Sequence, residues 1–536
     1  MARSPLGYEY KQCGPLVRRL LPRLLGPWRG FPARLRQLFS RANRRRIYVI
    51  ITPWHNCPVG YFSLIVGAAL AQRTALEVRF LIDDITYPLI EDVAHPWYNR
   101  VWDDELVVIE KMCRVYRGRF PIARLSRLPP SRDPVDQEQV IKTARRAAEL
   151  DLSYRIGNRM VSYPPPEAFI PVAETQLVAK GLRLAHLWKE RAGDAIFVPA
   201  GTVSGSWIFT DLAAYFGLRR ATFDFGNESL YLAVDGVAAQ QPDNARTYAY
   251  LLTAPQAERD YAIAIARKIR STRELQGDSL LAAKFETADL DSYDVLLCMS
   301  FEGDVAALGL DYLFKDARDW LESTIIELSK VRPGLRIAVR QHPAERQLMS
   351  HQSEEAMDRL KQLQADGAEV AIFDAGNNVS TYELSRRSKV VVVGATTFGI
   401  EAATLGRPVV VFRNSYYAQT DFVQRPNDRQ HYFKLILEAV DGAHGPTAEQ
   451  QDHAHLMYYV LEACNRIRMG LTPHPKVFLT WLQNNPMESM NSDDFEMVIG
   501  AIAGDAPYSL RKHQRLWAAY REATAVSANI AEGATP

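Results

Sequence analysis

Between residues 336 and 412 the chain alternates short β-branched runs with helix-like stretches, and this alternation leaves few folds open. RIAVRQHPAE is followed by NNVSTYELSRRSKVVVVGATTFGIEAATLGRPVVVF, which reads as three strands separated by helices. Such alternation builds a parallel sheet with helices on its faces. Ligands of these sheets bind beyond the carboxyl ends of the strands. Two loops fall there: His342–Pro343 after a strand expected over 336–341, and Gly394–Ala395–Thr396–Thr397 after Val390–Val393. The helix that follows should stop at Gly406, with Pro408 close behind, the usual pairing of stop signals.

A helix start with two adjacent hydroxyls suits a phosphate, because free backbone N–H groups and the positive end of the dipole point the same way. The plainer reading is that Thr396 or Thr397 only caps the helix. The second loop favours the phosphate, since His342 would project at the same sheet edge and can donate to a phosphate oxygen. Strand neighbours alternate faces, so Arg340 points with His342. An arginine there would neutralise a phosphate or a sugar carboxylate; the alternative is a salt bridge with Glu345.

On these residues the chain resembles the carboxyl-terminal domain of bacterial capsule polysaccharide biosynthesis proteins, which include transferases of the sugar acid Kdo. Its arrangement is also similar to that of bacterial GT-B sialyltransferases. The resemblance lies in the His-Pro pair and in the run TFGIEAATLGRPV, and it covers about residues 290–425. It implicates His342, Pro343, Thr396, Thr397 and Glu401 in holding the nucleotide, with Glu401 near the ribose or base; together with Arg340 and Gly399 these are the expected nucleotide-sugar site. The family's stretch after the last strand usually carries a glycine before a tyrosine. This chain has Arg413, Asn414 and Ser415 before Tyr416 instead.

A chain of 536 residues, 47% hydrophobic and 24% charged, has the composition of a globular protein with more than one domain. A net charge of +2 gives it no general attraction for nucleic acid. Its five cysteines lack disulfide or metal spacing, as expected in a reducing cytoplasm. Residues 1–46 are locally basic and interleaved with Leu, Trp and Phe. They read as a leader that touches anionic lipid at the inner face of the plasma membrane, or as a solvated basic arm. The expected fold is α/β and GT-B-like: two Rossmann-like domains facing a cleft, with a helical extension. The expected boundaries are a leader at 1–46, an acceptor-side domain with connector helix at 47–285, a nucleotide-sugar domain at 286–440 and an extension at 441–536 that packs back across the domains.

Acceptor chemistry is expected from the first of these domains. His55 follows the strand IYVIIT and is a general-base candidate, or a hydrogen-bonded turn histidine. Asp83 and Asp84 end the next strand as base and partner, or as turn residues. Asp224 and Glu228 flank an acidic-glycine turn that resembles one in the capsule family, which makes each a catalytic candidate. Asp304, in SFEGD, is an acceptor-side candidate or a helix-start residue. No metal motif is visible, and no cofactor is expected beyond the nucleotide-sugar donor as substrate. With the resemblance, these residues imply a metal-independent glycosyltransferase of surface polysaccharide. It would use a CMP-activated acidic sugar such as Kdo and a glycan or lipid-linked acceptor. A CDP-glycerol-type glycerophosphotransferase and a non-catalytic GT-B scaffold are the alternatives.

Overall fold

The computed structural model describes residues 45–52, 58–85, 109, 121–157, 166–203, 205–226, 229–276, 291–301, 304–348, 351–484 and 486–533, with residues 16, 17, 19 and 20 of the leader. His55, Glu228 and most of the basic leader lie outside the described residues. These residues divide into two compact units. The first takes those within Met1–Ser153, Met160–Asp243 and Arg466–Arg511; the second takes Tyr154–Arg159, Asn244–Asn465 and Lys512–Pro536.

The first unit holds a six-stranded sheet. Its strands are β1 (Arg46–Ile51), β2 (Glu77–Ile82), β3 (Ile122–Arg124), β4 (Ala195–Pro199), β5 (Arg219–Gly226) and β6 (Ser229–Val234). Their order is β3-β2-β1-β4-β5-β6, parallel except for β6, which returns antiparallel to β5. Alternation sorts the faces. Ile47, Val49 and Ile51 pack with the helices Val59–Arg73 and Asp493–Ala503, whereas Tyr48 lies against Trp188 on the other face.

The second unit holds a five-stranded parallel sheet: β7 (Tyr293–Cys298), β8 (Ile337–Arg340), β9 (Val370–Phe373), β10 (Ser388–Val393) and β11 (Val409–Val411). Their order is β11-β10-β7-β8-β9. Both faces are covered, which is why these strands read as unbroken apolar runs. Leu296, Val391 and Val393 meet the helices Asp243–Thr253, Gln256–Gln276 and Ala448–Tyr459. Val295, Leu297, Val390 and Val392 meet Ala317–Val331, His351–Ala365 and Arg429–Val440. Trp320 stacks on Phe412 at 4.4 Å and donates its indole N–H to the Tyr432 hydroxyl at 2.9 Å, which anchors that second layer.

Two Rossmann-like α/β units are therefore present, as the sequence led one to expect, but chain membership differs from the expected boundaries. The connector helix, Gln256–Gln276, and the helix Asp243–Thr253 before it pack in the second unit, where Ala262 and Ala266 of the one and Tyr248 and Leu251 of the other are buried in the core. The segment 466–511 belongs to the first, where Ile467, Phe478, Phe495 and Val498 complete its core. The supposed single extension is thus split. Strands β5 and β6 pair antiparallel, with Gly226 opposite Ser229.

Candidate functional site

The chain order of the second sheet fixes where a ligand can sit. From β7 the chain adds β8 and β9 on one side, then crosses to add β10 and β11 on the other. The crevice at the carboxyl ends of β7 and β10 is the topological switch point, the usual ligand position in such sheets. A cavity opens there, with about 690 Å³ of empty space counted out to open solvent. Its lining comes from three strand ends: Cys298, the last residue of β7, and Met299; Arg340, the last residue of β8, with Gln341, His342 and Pro343; and Thr396, Thr397 and Phe398 after β10. Arg273, Thr381, Tyr382 and Glu401 complete it.

Arg340 is its most constrained cation. The side chain is 3% exposed and Nη1 donates to the Asp374 carbonyl at 2.7 Å. Its Nε has no hydrogen-bond partner among the described residues. Burial pulls the guanidinium below its usual range, because a charge taken out of water is poorly solvated. An anion entering the cavity would offset this charge. The same burial pushes the Cys298 thiol up to about 12, so it is a neutral floor group.

His342 accepts the Ala344 N–H on Nδ1 at 3.1 Å, which places the proton of the neutral ring on Nε2. Its ring lies 6.3 Å from that of Phe301. Thr397 occupies the cap position of the helix Phe398–Thr404 without a side-chain capping bond, and Thr396 accepts only a long one, 3.4 Å from the Phe398 N–H. That helix has 7 residues, so its dipole is short and the anion-binding case rests on side chains. As expected, the chain leaves the helix at Gly406, whose φ of 77° belongs to the left-handed region.

Glu401 is 3% exposed and accepts from the Tyr382 hydroxyl. Arg273 reaches it at 3.7 Å and is braced from behind by Glu462 at 3.1 Å. Glu401 first, and then Glu462, hold Arg273 protonated above its ordinary range against the pull of burial. Burial, reinforced by Glu401, raises the Tyr382 phenol. Glu462 sits in a π-helical turn, Val460–Cys464, of the kind that often re-aims a side chain at a site. Nothing in the sequence marked Arg273, Tyr382 or Cys298. Arg273 and Tyr382 arrive from helices and Cys298 from the end of β7, and only the packing of the second unit brings them together.

The structure thus gathers Arg340, His342, Pro343, Thr396, Thr397 and Glu401 around one cavity. Gly399 does not line it. A Cβ there would lie 2.7 Å from the Tyr417 hydroxyl and 2.9 Å from Val393 Cγ2, so this glycine serves close packing. Asp304 does not line it either. It is exposed and caps the short turn Val305–Ala307 by accepting the Ala306 N–H at 3.0 Å. Asp224 belongs to the first unit, on β5 opposite Tyr231, and accepts the N–H of Phe225 at 2.8 Å. Arg413, in the stretch that departs from the capsule pattern, is 3% exposed and pairs with Asp311. Among the described residues no group of three His, Cys, Asp or Glu side chains is placed to hold a metal ion.

Residues 295–425 match the model of the family described as "Capsule polysaccharide biosynthesis protein". The resemblance read from the sequence therefore holds over the stretch that carries the cavity loops. Similar solved structures include Thermosulfurimonas dismutans KpsC, described as a beta Kdo 2,7 transferase. It is 14% identical over 56% of this chain and 89% of that one, with a TM-score of 0.31. The KpsC beta Kdo 2,4 transferase of the same organism is 12% identical over 49% and 86%, with a TM-score of 0.29. A Staphylococcus aureus MnaA co-structure with UDP is 10% identical over 77% and 90%, with a TM-score of 0.24. No curated protein matches the chain.

Proposed function

We propose that this protein is a glycosyltransferase of surface polysaccharide synthesis whose donor nucleotide binds in the cavity of the second unit. The observation that carries this reading is Arg340, a buried guanidinium with an unpartnered Nε at a topological switch point. Asp374 offers Arg340 its backbone carbonyl and some opposing charge but no ion pair among the described residues, and a buried cation so weakly countered is costly unless a ligand supplies more negative charge. A phosphate ester fits: Arg340 takes the charge, His342 donates from Nε2, and Thr396 and Thr397 supply hydroxyls. Glu401, held by Tyr382 and Arg273, offers a carboxylate to ribose or base. As the sugar leaves, negative charge builds on the departing phosphate, and donors already fixed in place stabilise it without reorganising. The donor we favour is a CMP-activated acidic sugar and the acceptor a glycan or lipid-linked glycan. The base is sought among Asp224, Glu228 and His55. A cytoplasmic setting at the inner membrane face fits such an acceptor. No described helix is long and apolar enough to cross a membrane.

Calorimetric titration with CMP, CDP and UDP tests the reading. We expect cytidine nucleotides to bind and Arg340→Met to abolish most of that binding. Failure of every nucleotide to bind or to raise the melting temperature overturns it.

A further inference from the structure

The cavity of the second unit is lined by two chemically different sets of side chains. Arg340, His342, Thr396 and Thr397 come from strand ends and the loops after them, whereas Arg273, Tyr382, Phe398 and Glu401 come from helices. The helix set forms one cluster. The Tyr382 hydroxyl donates to Glu401, the Tyr382 ring meets Phe398 edge to face at 5.7 Å, and Arg273 Nη1 lies 3.7 Å from Glu401 Oε1. Glu401 follows Thr397 by one helical turn. A nucleotide whose phosphate is held at the loop therefore has its ribose and base within reach of this cluster.

Charge and shape decide what the cluster can take. Glu462 lies behind Arg273 at 3.1 Å, so two carboxylates outweigh one guanidinium. A second phosphate would be repelled there, and a neutral ring would not. Tyr382 and Phe398 offer such a ring aromatic area. Both carboxylate contacts of Arg273 are made by Nη1, and the Tyr458 phenol lies against the same guanidinium. A guanidinium carries five N–H donors in a planar fork. The Arg273 side chain is 28% exposed and borders the cavity, so donors remain for a ligand.

This fork beside a carboxylate distinguishes the pyrimidines. Cytosine presents two adjacent acceptors, O2 and N3, next to an amino donor. Uracil carries an N–H at position 3, which would meet the fork donor to donor. We propose that Arg273 reads the base of the donor nucleotide, selecting cytosine over uracil by donating to O2 and N3 while Glu401 accepts from the amino group. The proposal rests on the reading that a donor nucleotide occupies this cavity. It adds a specificity residue from a helix that lies outside the stretch 295–425 matching the capsule family.

Titration calorimetry of the full chain with CMP, UMP, GMP and 3-deazacytidine monophosphate tests it. CMP should bind about tenfold more tightly than UMP, the scale of one bidentate base contact. The 3-deaza analogue, with a C–H in place of the N3 acceptor, should lose about the same factor. GMP enters the panel because guanine also presents two adjacent acceptors, O6 and N7. In Arg273→Lys a cation stays beside Glu401 and Glu462 but the fork is gone, so the CMP-to-UMP ratio should fall towards one. The 3-deaza comparison uses the parent alone and decides the matter whether or not the variant folds. Four results each overturn the proposal and leave the donor site standing: equal binding of CMP and UMP by the parent, undiminished binding of the 3-deaza analogue, tighter binding of GMP, or an unchanged ratio in folded Arg273→Lys. Binding of no nucleotide at all sinks the donor site itself, and this inference with it.

Discussion

The Tyr417 hydroxyl donates to the backbone carbonyl of Thr396 at 2.5 Å, and Gly399 leaves the space that lets it do so. The loop carrying Thr396 and Thr397 is therefore held from beneath by a buried phenol. Tyr417→Phe should keep the fold and lower nucleotide affinity by about 1 kcal/mol, the scale of one hydrogen bond. Gly399→Ala should cost about 1–3 kcal/mol of stability through overpacking. Denaturant melts and titration calorimetry separate these effects.

Arg340 predicts opposite signs for binding and stability. Arg340→Met should weaken nucleotide binding by about 1.5–3 kcal/mol, the scale of a hydrogen bond to a charged group. The ligand-free variant should be no less stable than the parent, because a buried cation without a counter-ion opposes folding. A destabilised apo variant with parental nucleotide affinity would show that Arg340 is structural.

Arg273 neutralises both Glu401 and Glu462. Arg273→Met should cost about 3 kcal/mol, the low end for breaking a buried pair, since Arg273 keeps partial exposure. Urea melts of parent and variant check the size of the loss.

His455 gives a pH dependence. It is 5% exposed, its Nδ1 lies 2.8 Å from the Gln451 carbonyl, and burial depresses its pKa. The unfolded chain takes up the proton first, so stability should fall as the pH drops below about 6.5 towards the depressed value. In His455→Gln this part of the acid loss should vanish. An unchanged slope would rule out His455 as its source.

The β-strands of the second unit were legible because Val390–Val393, doubly covered by helices, must be apolar at every position. The His342 and Thr396–Thr397 loops were legible because a strand end followed by a glycine or proline break marks the sheet edge where ligands bind. Asp304 caps a turn, and an aspartate capping a turn and one facing a ligand look alike in sequence. Gly399 belongs to the motif, but its packing depends on Tyr417, 18 residues away. Arg273, Tyr382 and Glu462 gave no signal, because their meeting with Glu401 follows from how separate helices pack. Periodicity and loop chemistry are local properties, and the sequence determined the strands, the sheet class and half of the cavity rim. Which strand lies beside which, which unit claims the helices at 243–276 and 466–511, and which buried charges find partners depend on contacts between residues far apart in the chain. Only the tertiary structure decided those.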